Sequence, residues 1–561
     1  MQLSYEEKIA GVLVPLFALR REGDLGIGDL AALCEFIDWS REIGFRVVQL
    51  LPINEVGGDN SPYNAISSVA VEPTTLTLAP GTPSHLTDED FARITSTFDL
   101  TALRSGAVKY DAVKRIKRAL LEAAFANFSG DLQFDAFCER EAMWLRDYVF
   151  FRALMERNGE SEMWDQWPAE HRSQAAARLW RDSLGQDERA QFERREKFFA
   201  YVQWIATQQW REINAFATSR GVSLMGDIPF GVSYYSADAW ARPDEFQLGW
   251  SGGAPPEPYF KDDEFTMKWG QNWGIPVYDW HQMRSRNFQW WRQRVQGVAR
   301  FFHAFRIDHV LGFYRIYAFP WRPARNAEFL PLNQDEMLNK TGGRAPHFAP
   351  RDDETSENRE ANQREGEEYL RVVLEESDDT RVVGEDLGTV PPYVRPSLKS
   401  LNIAGFKIPQ WECYHGRVTP GTEYERISVA TYATHDHKPL RAMWEEAFER
   451  KSDASEQARG DLEKIATFAA MEPRQGPINY GSDFYPRIME ALFASNSWLA
   501  IVMITDLLAR KDRFNVPGMA DEGNWTRRMH ATVSELRQSR TTRERMRLIR
   551  ELLRKTARLK D

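Results

Sequence analysis

Four short acidic motifs follow one another through the middle of this 561-residue chain: Gly226-Asp227-Ile228-Pro229, Phe305-Arg306-Ile307-Asp308-His309, Gly384-Glu385-Asp386-Leu387-Gly388 and Thr434-His435-Asp436-His437. Each sets a carboxylate at the end of a short apolar or β-branched run, as Val222-Ser223-Leu224-Met225 does before Asp227 and Arg381-Val382-Val383 before Glu385. Serial strand-end acids are what an α/β chain folded as a (β/α)8 TIM barrel supplies, because barrel active sites collect at the carboxyl ends of the strands. Successive acids stand 81, 77 and 51 residues apart, more than the roughly 30 residues of one strand-helix unit. Further strands and large insertions must lie between them.

The chain exceeds the roughly 250–300 residues of one simple core, and we expect a single catalytic barrel over residues 1–561, enlarged by insertions and without a C-terminal β-sandwich. Residues 11–19 read as the first strand and Val47 to Pro52 as the second, with Leu30, Leu33, Phe36 and Ile37 on one helical stripe between them. From 86 to 220 the chain is charged and aromatic, with Pro and Gly sparse between 108 and 217, which predicts a helical insertion. Residues 250–280 are dense in Gly, Pro and aromatics and read as a long functional loop. Residues 340–368 read as a solvated charged insertion before a surface helix, Trp498 to Leu508 as the last buried strand, and 526–561 as a closing amphipathic helix.

The 72 Lys and Arg against 82 Asp and Glu give a formal charge of −10, which argues against nucleic acid or an anionic membrane as partner. Cys34, Cys138 and Cys413 are odd in number and far apart, so neither a disulfide framework nor a structural zinc site is supported, and a cytoplasmic location is expected. No stretch is long and apolar enough to be a transmembrane helix. With 19 Trp, 18 Tyr and 33 Phe, the chain is rich in rings; most such rings fill cores, but they also stack on the apolar faces of neutral sugars.

A barrel, aromatics and several strand-end acids together suggest glycoside chemistry. Cleavage with retention needs one carboxylate as nucleophile and a second carboxyl, protonated at rest, about 5–5.5 Å away. Strand alternation puts Arg306 and Asp308 on one face, so the guanidinium can orient the acid. Val382, Val383 and Leu387 give Glu385 a partly apolar setting that would keep it protonated near neutrality. Adjacent strand residues face opposite ways, so only one of Glu385 and Asp386 points inward, and spacing does not say which. Asp436, between His435 and His437, is suited to gripping sugar hydroxyls. A metal role for these histidines has less support, since glycoside transfer needs no Lewis acid. Any one of these acids, taken alone, is more often a cap or a salt-bridge partner.

The ordered set resembles the 4-α-glucanotransferases known as amylomaltases or disproportionating enzymes, glycoside hydrolase family 77. The resemblance runs from Gly11 to about Trp525 and includes Asp59-Asn60-Ser61-Pro62-Tyr63, Gly253-Ala254-Pro255-Pro256, Gly270-Gln271-Asn272-Trp273-Gly274, Asn515-Val516-Pro517-Gly518 and Gly523-Asn524-Trp525 beside the four acidic motifs. It implies Asp308 as nucleophile, Glu385 rather than Asp386 as acid/base, and Asp436 as the third carboxylate. It further implies Tyr63 stacking on the transferred sugar, Arg306, His309 and His435 contacting its hydroxyls or the nucleophile, and Asp227 supporting the site. Trp250, Tyr259 and Phe260 would belong to a covering loop. The implied partners are maltooligosaccharides, starch- or glycogen-derived α-1,4-glucans, and glucose as acceptor, with no cofactor and no metal. The chain departs from the family at Pro256-Glu257-Pro258-Tyr259-Phe260, which carries an extra residue, and at His437-Lys438, where Asn-Asp is usual. An amylase-type hydrolase and a catalytically silent glycan-binding protein are the competing readings.

Overall fold

The computed structural model describes residues 3–256, 263–449, 453–471, 479–517 and 523–559. Its strands in chain order are β1 (Ile9–Leu13), β2 (Val47–Gln49), β3 (Ser223–Ile228), β4 (Phe246–Ala254), β5 (Gln271–Tyr278), β6 (Ala304–Ile307), β7 (Ile316–Phe319), β8 (His347–Ala349), β9 (Arg381–Gly384), β10 (Gly405–Lys407), β11 (Cys413–Tyr414), β12 (Arg417–Val418), β13 (Ser428–Ala430) and β14 (Leu499–Met503). Eight of them form one parallel sheet in the order β10-β13-β14-β1-β2-β3-β6-β9. A parallel bridge between Val383 and Ala404 joins the two ends of that order, with Gly384 N–H donating to Ala404 O at 2.9 Å, so the sheet curls into a nearly closed barrel. Every residue of β1, β2, β3, β6, β13 and β14 is buried, as expected of parallel strands covered on both faces.

β1 stops at Leu13, short of the predicted strand, because Pro15 brings no N–H to a ladder and the chain turns into a 3₁₀ segment at Leu16–Ala18. The helix Leu30–Ile43 carries the predicted stripe inward. Asp29 caps it by accepting from Ala32 N–H, and Gly44, at φ 107, ends it in the left-handed region. Residues 88–219 are predominantly helical and end in the 34-residue helix Gln186–Ser219. Near its start Phe192 meets Phe150 of the helix Ala142–Arg157 at 5.7 Å. At its end Arg220 pairs with Asp38 of Leu30–Ile43 at 2.7 Å as the chain enters β3. One long helix thus belongs both to the insertion and to the barrel wall.

The 250–280 segment is not structureless. β4 and β5 pair antiparallel, and with β7 and β8 they make a second sheet in the order β5-β4-β7-β8, with the short helix Glu264–Trp269 between the first two. Two of its glycines mark close backbone approach: a Cβ on Gly253 would lie 1.8 Å from Gln271 O, and one on Gly270 2.2 Å from Ala254 O. Trp269, Phe319, Trp321, Phe329 and Met337 give this sheet its own small core, in which the Trp321 and Phe329 rings stack at 3.9 Å.

The 340–368 segment is also more ordered than its charge suggested. It contains β8 and the first half of the helix Ser356–Ser377, where Arg351 pairs with Glu365 and Arg284 with Glu368. The last strand is shorter than predicted, since the chain turns helical at Ile504–Leu507. The C-terminal stretch is two helices, Val533–Gln538 and Arg540–Lys555, divided at Ser539, which is extended and caps the second through Thr542 N–H. Arg558 then donates to the backbone carbonyls of Ile9, Phe493, Ser495, Ser497 and Trp498 at 2.6–3.1 Å, tying the starts of β1 and β14 together. No described helix is long and apolar enough to cross a membrane.

Candidate active site

Three of the four acids, Asp227, Asp308 and Glu385, converge on Arg306. Its Nη1 donates to both oxygens of Asp227, at 2.9 and 2.7 Å, and its Nη2 donates to Asp308 Oδ1 at 2.6 Å and stands 3.6 Å from Glu385 Oε2. β3, β6 and β9 are neighbours in register, with Asp227 opposite Arg306 and Arg306 opposite Val383, so three adjacent strand ends deliver these groups to one place. Exposure separates them. The Asp227 side chain is fully buried, whereas 29% of Asp308 remains open. Asp227 therefore anchors the guanidinium from behind, and Asp308 presents a free oxygen to the mouth.

The structure separates the two neighbours at 385 and 386. Glu385 faces the mouth, where it accepts the His309 backbone N–H at Oε2, 2.7 Å. His309 sits at φ 49, a left-handed backbone that costs a non-glycine residue about 1 kcal/mol and here turns its N–H toward the acid. Asp386 points outward: it accepts from Phe406 N–H at 2.6 Å and from Arg395 at 3.0 Å, pinning β10 beside β9 where the barrel closes. Burial pushes the Glu385 carboxyl up to about 7, with Asp308 adding to the rise while Arg306 and the His309 N–H oppose it.

Across the mouth, Asp436 lies in the loop after β13, half-open on one side. Its Oδ2 is 3.2 Å from His435 Nε2, and its Oδ1 accepts from Asn515 Nδ2 at 2.6 Å. Burial favours the neutral acid, yet His435 and Asn515 outweigh it and hold the carboxyl well below the usual range. Burial likewise opposes charge on His435, but the Asp436 carboxylate raises its pKa. The Tyr63 hydroxyl donates to Asp227 Oδ2 at 2.7 Å and lies 3.3 Å from His435 Nδ1, and the two rings stack at 4.8 Å and 15°. A continuous polar chain thus runs from Asp308 through Arg306, Asp227, Tyr63 and His435 to Asp436. His437 does not share in it: its Nδ1 accepts from Thr434, and burial lowers its pKa to about 4.

Trp250 stands on β4 against His347 of β8, ring centroids 4.6 Å apart. Tyr259 and Phe260 lie outside the described residues. Sequence reasoning assigned no role to four residues found here. Trp273, 39% exposed, meets the His309 ring edge-on at 4.7 Å; Trp411, 48% exposed, lies 4.8 Å from His437; Trp525 packs on Tyr63 and His435; Asn515 holds Asp436. Trp273, Asn515 and Trp525 belong to motifs already noted. Trp411 had no signal beyond following the strand-like run Phe406-Lys407-Ile408. Among the described residues no group of three or more His, Cys, Asp or Glu side chains is arranged to hold a metal ion.

A sequence model of the family described as 4-alpha-glucanotransferase matches residues 14–534. The chain is 30% identical over 545 residues to the 4-alpha-glucanotransferase of Chlamydia caviae, covering 94% of this chain and 91% of that one, and 27% identical over 534 residues to that of Aquifex aeolicus, covering 92% and 94%. In fold it is similar to the amylomaltase of Streptococcus agalactiae in complex with acarbose (TM-score 0.72, 21% identity, 99% of this chain and 100% of that one) and to that of Corynebacterium glutamicum (TM-score 0.76, 19% identity, 99% and 76%).

Proposed function

This chain belongs to the 4-alpha-glucanotransferase family, glycoside hydrolase family 77, and from that membership we propose how its barrel mouth works. The enzyme transfers segments of α-1,4-glucans. In our reading Asp308 attacks the anomeric carbon while Glu385 gives its proton to the departing glycosidic oxygen. The glycosyl group then rests as an ester on Asp308. The 4-OH of an acceptor glucan or of glucose attacks the same carbon, returns its proton to Glu385 and releases Asp308.

One observation carries this assignment: Asp308 Oδ1 and Glu385 Oε2 both lie within 3.6 Å of Arg306 Nη2. Two oxygens so held cannot be as far apart as the roughly 6.5–9.5 Å of an inverting pair, which supports retention. Their settings also differ as the roles require. Glu385, up to about 7, keeps a proton to give near neutrality, and Asp308 is oriented by a charged N–H with its second oxygen free. Asp436, held ionised, would grip hydroxyls of the distorted sugar beside Tyr63 and His435. His309, neutral because burial lowers its pKa to about 4, would contact the sugar from the other side.

We read the whole chain as one catalytic unit. The sheet carrying Trp250, with Tyr259 and Phe260 beyond the described residues, would cover the acceptor side and keep water from the ester. Linear maltooligosaccharides, starch- or glycogen-derived glucans and free glucose are the partners this implies. The three unpaired cysteines fit a reducing cytoplasm. Incubation with maltotriose alone tests the reading: free glucose together with oligomers longer than the substrate is expected. Release of glucose and maltose without longer products would turn it to the amylase-type hydrolase, and no products at all to a silent glycan-binding protein.

A further inference from the structure

Asp436 has no strand to hold it. It lies in the irregular stretch between β13 and the helix Leu440–Glu449, where its own loop braces it through His435 at Oδ2, the Asp436 N–H on Thr434 and the Thr434–His437 contact. Further bracing comes from the segment that follows β14, at three points. Asn515 Nδ2 donates to Asp436 Oδ1 at 2.6 Å, Arg513 donates to the Asp436 carbonyl, and buried Asp506 accepts the Leu440 N–H at 2.7 Å where the next helix begins. Asn515 is itself 9% exposed and sits at the base of a pinched loop. Val516 N–H donates to Asn524 Oδ1 at 2.9 Å, Asn524 donates back to Val516 O, and Trp525 N–H donates to Phe514 O at 2.8 Å.

We propose that Asn515 is a positioning residue for the reaction, acting through Asp436. Each carboxylate oxygen then meets one donor, the neighbouring His435 at Oδ2 and Asn515, from the segment after β14, at Oδ1. Two donors on opposite oxygens fix rotation about the last side-chain bond and leave lone pairs on both oxygens for sugar hydroxyls. With Asn515 removed, the group would swing about its His435 contact and meet the sugar in the wrong plane.

The inference rests on the reading of Asp436 as the third carboxylate, so Asp436→Asn is measured first. Wild-type transfer in that variant would sink the reading itself, whatever Asn515 does. With Asp436 required, Asn515→Ala is expected to lower kcat on maltotriose about 10- to 100-fold, as losing a hydrogen bond to a charged group does, with KM changed less than threefold. Asn515→Asp, of the same shape, places two carboxylates together and should move the acid limb of the kcat profile up by a pH unit or more. Affinity for acarbose, read by calorimetry, closes the cycle: Asn515→Ala should weaken it in the wild-type background and change nothing further in Asp436→Asn. An equal loss in both backgrounds, or an unmoved acid limb in a folded Asn515→Asp protein, would overturn the proposal, as would a rise in KM with kcat intact, which would make Asn515 a substrate ligand. If Asn515→Asp fails to fold, the cycle with Asn515→Ala decides.

Discussion

Glu385 should set the alkaline limb of the reaction. Its proton is needed at rest, and with its carboxyl raised to about 7 the first step loses its acid as pH climbs through that value. We expect kcat/KM for maltotriose to fall above pH 7. Glu385→Gln should remove the limb and cripple natural donors, while a donor whose leaving group needs no proton still labels Asp308; absence of that ester in mass spectra would refute the role. Asp308→Asn should abolish turnover in a folded protein, by 10⁴-fold or so if the covalent step is lost, and near wild-type rates would remove Asp308 from the mechanism. Asp506 carries a stability effect of known sign. Burial raises its carboxyl to about 7, above the roughly 3.9 of an unfolded Asp. Between those values the folded chain keeps a proton the unfolded chain has lost, so its contribution is complete below pH 4 and lost as pH rises through 7. Asp506→Asn stays neutral and still accepts from Leu440. Its melting temperature relative to wild type should therefore climb between about pH 4 and 7 and level off above that, with up to ~4 kcal/mol involved over the whole window. A pH-independent difference would count against a titrating Asp506.

At the scale of elements, the second sheet holds the aromatic wall beside the mouth. Replacing Tyr259 and Phe260 by Ala should raise hydrolysis relative to transfer, measured as new reducing ends per transferred glycosyl unit, with little change in melting temperature if these rings only exclude water. Phe329→Ala, which empties the stacked pair under the sheet, should instead cost about 3–5 kcal/mol locally; an unchanged melting curve would show the small core to be dispensable. Strand ends were legible in the sequence because a parallel strand buried on both faces leaves an unbroken apolar run, and the acid at its end has nowhere to go but the mouth. β4 and β5 were not legible. Gly253 and Gly270 let backbones touch, and composition cannot separate that from a loop. The charged start of the helix Ser356–Ser377 was hidden for a similar reason, since Arg284 and Arg351, the partners of Glu368 and Glu365, precede it in the chain and only the fold brings them across. Asn515 stood in a noted motif, yet its bond to a residue 79 positions away has no periodicity to betray it.

For the molecule as a whole, the barrel is ordered in space quite differently from the chain. Ile9 pairs with Leu499, and Arg558 fastens both strand starts with a buried guanidinium that has no carboxylate partner among the described residues and whose pKa burial lowers to about 9. That pairing means β1 leaves the ribosome long before its partner β14 is made. Until β14 emerges, one edge of β1 has no partner. At roughly 5–20 residues per second of synthesis, the exposed edge would persist for tens of seconds, a long interval for an unpaired apolar strand in a crowded cell. A chain of this design leaves one edge of β1 to be covered by something else until β14 reaches it.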